Sequence, residues 1–147
     1  MTIVSKVMST EFMTAEPSVD MKSAIELLKG ATRTLYICKD SELVGKVTMA
    51  SIDQTLSSTP FMPVHLSVLH ALLPIKHFCL EHQSVRTVLN KLPLEFAEDL
   101  PVVNENHHLK GVILKEKLVN YKKHSRDWME KYHGVCVEPR KYSILKR

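Results

Sequence analysis

The residue types best suited to chemistry at close range are His77, Cys79 and His82, which fall within one short stretch. Imidazole and thiolate are zinc ligands, and zinc needs four donors in a tetrahedron. On a strand and its following loop these three diverge, and no fourth ligand is spaced to close the site, so no metal is expected. His107 and His108 end a polar stretch, 105–108, that reads as a hairpin turn, where imidazoles are solvated. The chain has no Gly-x-Ser-x-Gly, no Gly-rich phosphate loop with its lysine, and no Cys/His pair that nominates a nucleophile and base. It holds only four glycines. No catalytic residues are expected, and an enzyme is the least supported class.

The elements that would position any site occur twice. Leu-Val-Gly-Lys-Val-Thr at 43–48 has a counterpart in Leu-Lys-Gly-Val-Ile-Leu at 109–114. Each is preceded by a β-rich run, Leu35 to Cys38 ten residues before Gly45 and Pro101 to Asn104 ten before Gly111. A unit used twice predicts two similar halves with a functional crevice between them. In the first half, Phe12 to Ala15 is extended and Ser18 is the expected cap of a helix carrying Val19, Ala24, Ile25, Leu27 and Leu28, which Gly30 ends. Strands Thr34–Cys38 and Leu43–Thr48 follow, then a helix to about Leu56 and a break at Pro60 and Pro63. The second half opens with an expected apolar helix over 65–73. Phe78 to Leu80 is extended, and Ser84 caps a helix bearing Val85, Val88, Leu89 and Leu92, broken by Pro93. Strands Leu100–Asn104 and Leu109–Leu114 come next, then a helix from Lys115 toward Tyr132, and an arm after Gly134 and Pro139.

Composition limits what such a chain can be. Its 147 residues, 44% hydrophobic, suffice for one domain or two small dependent ones. The first ten residues lack the apolar core of a secretory signal, and 64–75, with His65, Ser67, His70 and Pro74, is too short and polar to span a bilayer. A cytoplasmic protein with no membrane association is expected. Cys38, Cys79 and Cys136, odd in number and far apart, read as free thiols of a reducing compartment. Residues 1–121 carry 12 Lys and Arg against 13 Asp and Glu, and 122–147 carry 8 against 3, so the net charge of +4 comes from the tail. Lys122, Lys123, Arg126, Lys131, Arg140, Lys141, Lys146 and Arg147 offer positive charge but nothing that reads a base edge. Any nucleic-acid binding is therefore expected to be nonspecific and salt-dependent, and a solvated surface is the simpler reading. Trp128, Met129 and Tyr132 on the last helix suit packing against the body or a second chain, or an anchor for a partner.

The repeated β-α-β-β-α order, with Thr-Ala-Glu-Pro-Ser-Val at 14–19, Leu-Tyr-Ile-Cys-x6-Gly-Lys-Val-Thr at 35–48 and Pro-Val-Val-Asn-x6-Gly-Val-Ile at 101–113, resembles the tandem cystathionine β-synthase (CBS) domain pair. The resemblance covers about residues 3–122. It implies an α+β fold of two CBS repeats packed as a pseudo-two-fold pair, with 1–60 the first, 61–122 the second and 123–147 a basic C-terminal helix and arm. It also implies a regulatory module that binds an adenosyl compound such as AMP, ADP, ATP or S-adenosylmethionine between the halves, requires no cofactor, pairs into a homodimer and modulates an unidentified partner.

The family pattern Gly-x-x-Thr-x-x-Asp puts a carboxylate where it can accept both ribose hydroxyls, with a Thr hydroxyl and helix-start amides for phosphate. The first copy keeps Gly45 and Thr48 but has Ser51 in the Asp position, and Asp53 would point elsewhere. Losing the carboxylate costs about a factor of ten in affinity. The second copy keeps Gly111, with Leu114 in the Thr position and Lys117 in the Asp position. The implied site is one pocket with ribose near Thr48 and Ser51, phosphates toward Lys117, and adenine edged by backbone at Thr14, Ala15, Tyr36 and Ile37. Tyr36 could stack on a base or simply cover a sheet. The plainer reading makes Thr48 and Ser51 cap residues and Lys117 solvated. That reading belongs to the alternative function, a dimeric interaction scaffold with degenerate, non-binding clefts.

Overall fold

A computed structural model describes residues 2–29, 33–58 and 66–124, His124 by its backbone alone. Gly30, Pro60, Pro63 and everything after His124, including Trp128, Met129, Tyr132, Cys136 and the expected arm, lie outside the described residues.

Two three-stranded sheets form from the two repeats. In the first, β1 (Met13–Ala15) runs parallel to β2 (Leu35–Lys39), which pairs antiparallel with β3 (Glu42–Val47). In the second, β4 (Cys79–Leu80), β5 (Leu100–Val103) and β6 (Leu109–Ile113) repeat that order and sense. The helices are α1 (Met21–Leu28), α2 (Met49–Ser57), α3 (Val85–Lys91) and α4 (Lys115–His124). Among the described residues no helix is long and apolar enough to cross a membrane.

The two hairpins differ by one residue. Gly45 faces Ile37, eight residues back, whereas Gly111 faces Val102, nine back, so the equal ten-residue spacing of the sequence comparison is displaced by one. The difference lies in the turns. Asp40 and Ser41 take φ of 52° and 72°, the two left-handed residues of a tight hairpin turn. The second hairpin closes over a longer loop, where the Asn104 side chain accepts the amides of Asn106 (2.9 Å) and His108 (3.0 Å) and His107 carries φ 65°.

Each half's core is completed by the segment that leads into the other half. The 3-10 turn Val4–Lys6 buries Val4, with Val7, among Val85, Val88, Leu89, Leu100, Ile113 and Leu118 of the second half. The 3-10 turn Val68–Ala71 buries Val68 and Ala71 among Met21, Ala24, Leu28, Leu35, Val47 and Ile52 of the first. Hydrogen bonds follow the same exchange. Ser9 and Val112 trade amide bonds of 2.7 and 2.9 Å, and Leu73 and Lys46 trade bonds of 2.8 and 3.0 Å. A third cluster, built on Tyr36, Cys38, Leu43, Val103 and Val112, packs the sheets together. The Leu43 amide donates to the His107 carbonyl at 3.0 Å between the hairpin ends.

This exchange corrects two local expectations. In place of the apolar helix expected over 65–73, the described part, 66–73, holds one 3-10 turn, because the Leu66 carbonyl accepts from Met21, the Val68 amide donates to Val19, and Leu73 is paired with Lys46. The cap of α1 is Asp20, which accepts from the Ser23 amide at 2.9 Å, rather than Ser18. Val19 and Asp20 stay extended to pair with the exchanged segment, which delays the helix start. Ser84 caps α3 as expected, accepting from the Thr87 amide at 3.1 Å. Cys38 and Cys79 are buried and unbridged, and burial pushes the Cys79 thiol up to about 12, so it stays protonated.

Candidate ligand cleft

Thr48 ends β3 and starts α2, and its side chain is committed to that junction. Its Oγ1 accepts the Ser51 amide at 3.1 Å, while Ser51 Oγ accepts the Thr48 amide at 3.0 Å and donates to the Thr48 carbonyl at 2.9 Å. This is a reciprocal capping box with Ser in the place usually held by Glu or Gln. Ser51 is 7% exposed, so its hydroxyl is spent within the chain. The first amides of α2, at Met49 and Ala50, lie beyond the reach of any intrahelical carbonyl.

A cleft of about 510 Å³ opens beside this helix start. Lys46 and Thr48 line it from the first half; 73–77, Pro93, 95–99 and Pro101 line it from the second. The Lys46 ammonium bridges the halves to Glu98 Oε1 at 2.6 Å, and that bond holds the Glu98 carboxyl below its ordinary range. His77 packs edge-on against Phe96, with ring centroids 5.2 Å apart. Lys122, one of the sequence's tail cations, is only 8% exposed, and its ammonium donates to the Phe96 carbonyl. It therefore belongs to the body and contributes little to a basic outer surface.

The start of α4 is built differently. Leu114, in the place of Thr48, offers no hydroxyl, and Asp99 replaces it from the loop before β5, accepting the Lys115 amide at 2.7 Å. The same carboxylate receives Arg33 from the first half at 2.9 and 3.2 Å, and Arg33 also reaches Glu116 at 2.8 Å. Arg33 is held further toward its charged form by Glu116 and then Asp99, and Glu116 is driven below its ordinary range chiefly by Arg33. One guanidinium thus serves two carboxylates across the line between halves.

The residues expected in one pocket are divided by this arrangement. Thr48 lines the cleft, and Ser51 lies in the first turn of α2 with its hydroxyl in the cap. Thr14 and Ala15 pair with Tyr36 and Ile37 in the first sheet, and none of these four lines the cleft. Tyr36 is 3% exposed between the two sheets, where burial, then nearby Asp99, raises its hydroxyl pKa. Ile37 is fully buried in the first core. Lys117 is also absent from the lining and donates to the Val7 carbonyl at 3.0 Å, fastening the exchanged leader. Sequence reasoning missed 73–77 and 95–99. Their signal was present in the acidic run Glu95-Phe-Ala-Glu-Asp99, but only the exchange brings it against Lys46 and Thr48. Among the described residues no three His, Cys, Asp or Glu gather as for a metal ion.

Two consequences are measurable. Asp99→Ala removes the helix cap and an ion pair together, and is expected to lower stability by about 1 to 2 kcal/mol in urea denaturation. Glu98 and Glu116 have folded pKa values below their ordinary 4.5, so their contribution is present above that pH and is lost as pH falls through the folded values. The urea midpoint should therefore drop below pH 4.5, and drop less in Lys46→Met combined with Arg33→Met; equal slopes in the two proteins would refute this assignment.

Residues 4–58 match the CBS domain family. None of the curated proteins compared with the chain matches it. Several solved structures share its fold. A CBS domain pair/ACT domain protein from Thermotoga maritima is 17% identical over 84% of this chain and 98% of its own, with a TM-score of 0.67. The CBS domain pair of protein MJ0100, solved with 5′-methylthioadenosine and S-adenosyl-L-methionine, is 20% identical over 86% and 99%, with a TM-score of 0.64. CBSX2, solved with AMP, is 21% identical over 82% and 95%, with a TM-score of 0.61. The architecture is that of a tandem CBS-domain pair. The matched residues, 4–58, hold the first set of strands and helices, and 66–124 repeat the same order.

Proposed function

We propose that this chain is a regulatory module that takes an adenosyl compound in the cleft beside Thr48 and passes the occupancy to a partner through the relation between its halves. The observation that carries this reading is the cleft itself, about 510 Å³, walled by both halves and spanned by the Lys46–Glu98 pair. That volume suits a small ligand. Structures of the same fold have been solved with AMP and with S-adenosyl-L-methionine, which supports the ligand class. A ligand there touches both halves at once, so it favours whichever arrangement fits it better; regulation requires that difference in affinity. A homodimer and a cytoplasmic setting belong to the same proposal, the first tested by sedimentation.

A thermal-shift panel of AMP, ADP, ATP, S-adenosylmethionine and NAD, with a guanine control, tests the reading. Stabilisation by an adenosyl compound should grow with its concentration. Thr48→Ala loses about 1 kcal/mol of cap stability on its own, so the comparison is the ligand-induced increment, which should shrink in Thr48→Ala and recover in Thr48→Ser. No shift at millimolar ligand favours the alternative of a dimeric interaction scaffold with non-binding clefts. That alternative draws on the internal use of the Ser51 hydroxyl and on Asp99 occupying the start of α4.

A further inference from the structure

Building on the adenosyl reading, we infer that the cleft prefers adenosyl ligands with no more than one phosphate and discriminates against nucleoside di- and triphosphates. The inference rests on the charges around it. Lys46 and Lys76 line the cleft together with Glu95, Glu98 and Asp99, two cations against three anions among its Lys, Asp and Glu. Behind the lining, Arg33 and Glu116 are bonded to Asp99, and Lys122 donates to the Phe96 carbonyl, so the excess of negative charge lies in the lining itself, where the anions face the cleft. The cations are also engaged. Lys46 holds Glu98 at 2.6 Å, and Arg33 is shared by two carboxylates.

A single phosphate has a place to go. Thr48, which lines the cleft, marks the start of α2, and the positive end of that short helix, worth roughly half a unit charge, lies next to this wall. Further phosphates have none. Reaching Lys46 would break its bond to Glu98 and leave that carboxylate facing the same phosphates. Reaching toward 95–99 meets Glu95 and Asp99 directly. Lys76 alone cannot balance the three or four charges of ADP or ATP. A repulsion of one net charge across several ångströms of partly wet cleft corresponds to about a three- to tenfold loss of affinity for each added phosphate, shrinking as salt is raised.

The test is calorimetric titration of the full chain at low ionic strength, without divalent cations, with 5′-methylthioadenosine, AMP, ADP and ATP. AMP and 5′-methylthioadenosine should bind within about tenfold of each other, and affinity should fall about three- to tenfold from AMP to ADP and again to ATP. In Glu95→Gln and in Glu98→Gln the AMP-to-ATP ratio should narrow by about threefold each. ATP binding at least as tightly as AMP, or a ratio unmoved in both variants, overturns the charge limit and leaves the adenosyl reading standing. Failure of all four compounds to bind overturns the adenosyl reading itself, and the charge limit with it.

Discussion

Gly45→Val is expected to lower folding stability by about 3 kcal/mol or more, read as a collapse of the urea midpoint. A Cβ at Gly45 would lie 2.7 Å from Leu72 Cδ1 and 2.8 Å from the Leu73 carbonyl oxygen. The side chain could turn away, but the carbonyl cannot, because Leu73 exchanges both of its backbone bonds with Lys46. Gly111 is the same device in the second half: a Cβ there would stand 2.5 Å from Met8 Sδ and 2.9 Å from the Ser9 carbonyl oxygen. Gly111→Ala should cost about 1 to 3 kcal/mol. Neither described glycine has positive φ, so a turn requirement does not explain them. They are there to admit the exchanged leader along the outer edge of the hairpin. A Gly45→Val protein with the parent midpoint would refute this.

The second large effect is nonlocal. Val4→Asp should cost about 3 to 5 kcal/mol, since it buries an unpaired carboxylate, and the damage should appear in the second half. Val4 is fully buried among Val85, Val88, Leu89, Leu100 and Ile113. Hydrogen exchange should therefore lose protection first in α3, β5 and β6, although residue 4 belongs to the first repeat in sequence. Earlier loss at Leu35 to Cys38 would contradict the exchange.

Local chemistry was legible in the sequence where it was self-contained. The Gly-centred strand pairs, the Ser84 cap and the apolar positions Val85, Val88 and Leu89 depend only on neighbours in the chain, and they stand in the structure. The departures at Ser51, Leu114 and Lys117 were also readable, although what replaces them was not. Asp99 capping α4 from sixteen residues away carries no local signature. The apolar run at 66–73 reads as a helix because its burial is real, but the surface that buries it belongs to the other half. The family resemblance grouped Thr14, Ala15, Tyr36 and Ile37 with Thr48, whereas the wall that faces Thr48 across this cleft comes from 73–77, Pro93, 95–99 and Pro101 of the second half, a placement that no local pattern announces.

The traded leaders also bear on what one repeat could be by itself. A lone unit would carry a core missing its final apolar turn and a leader whose own hairpin has no use for it. Its escape from that deficit is a second copy, each donating its leader to the other. In the tandem chain the two copies share one backbone, so a bimolecular association becomes an intramolecular closure whose effective concentration is set by the connecting segment rather than by how much protein is present.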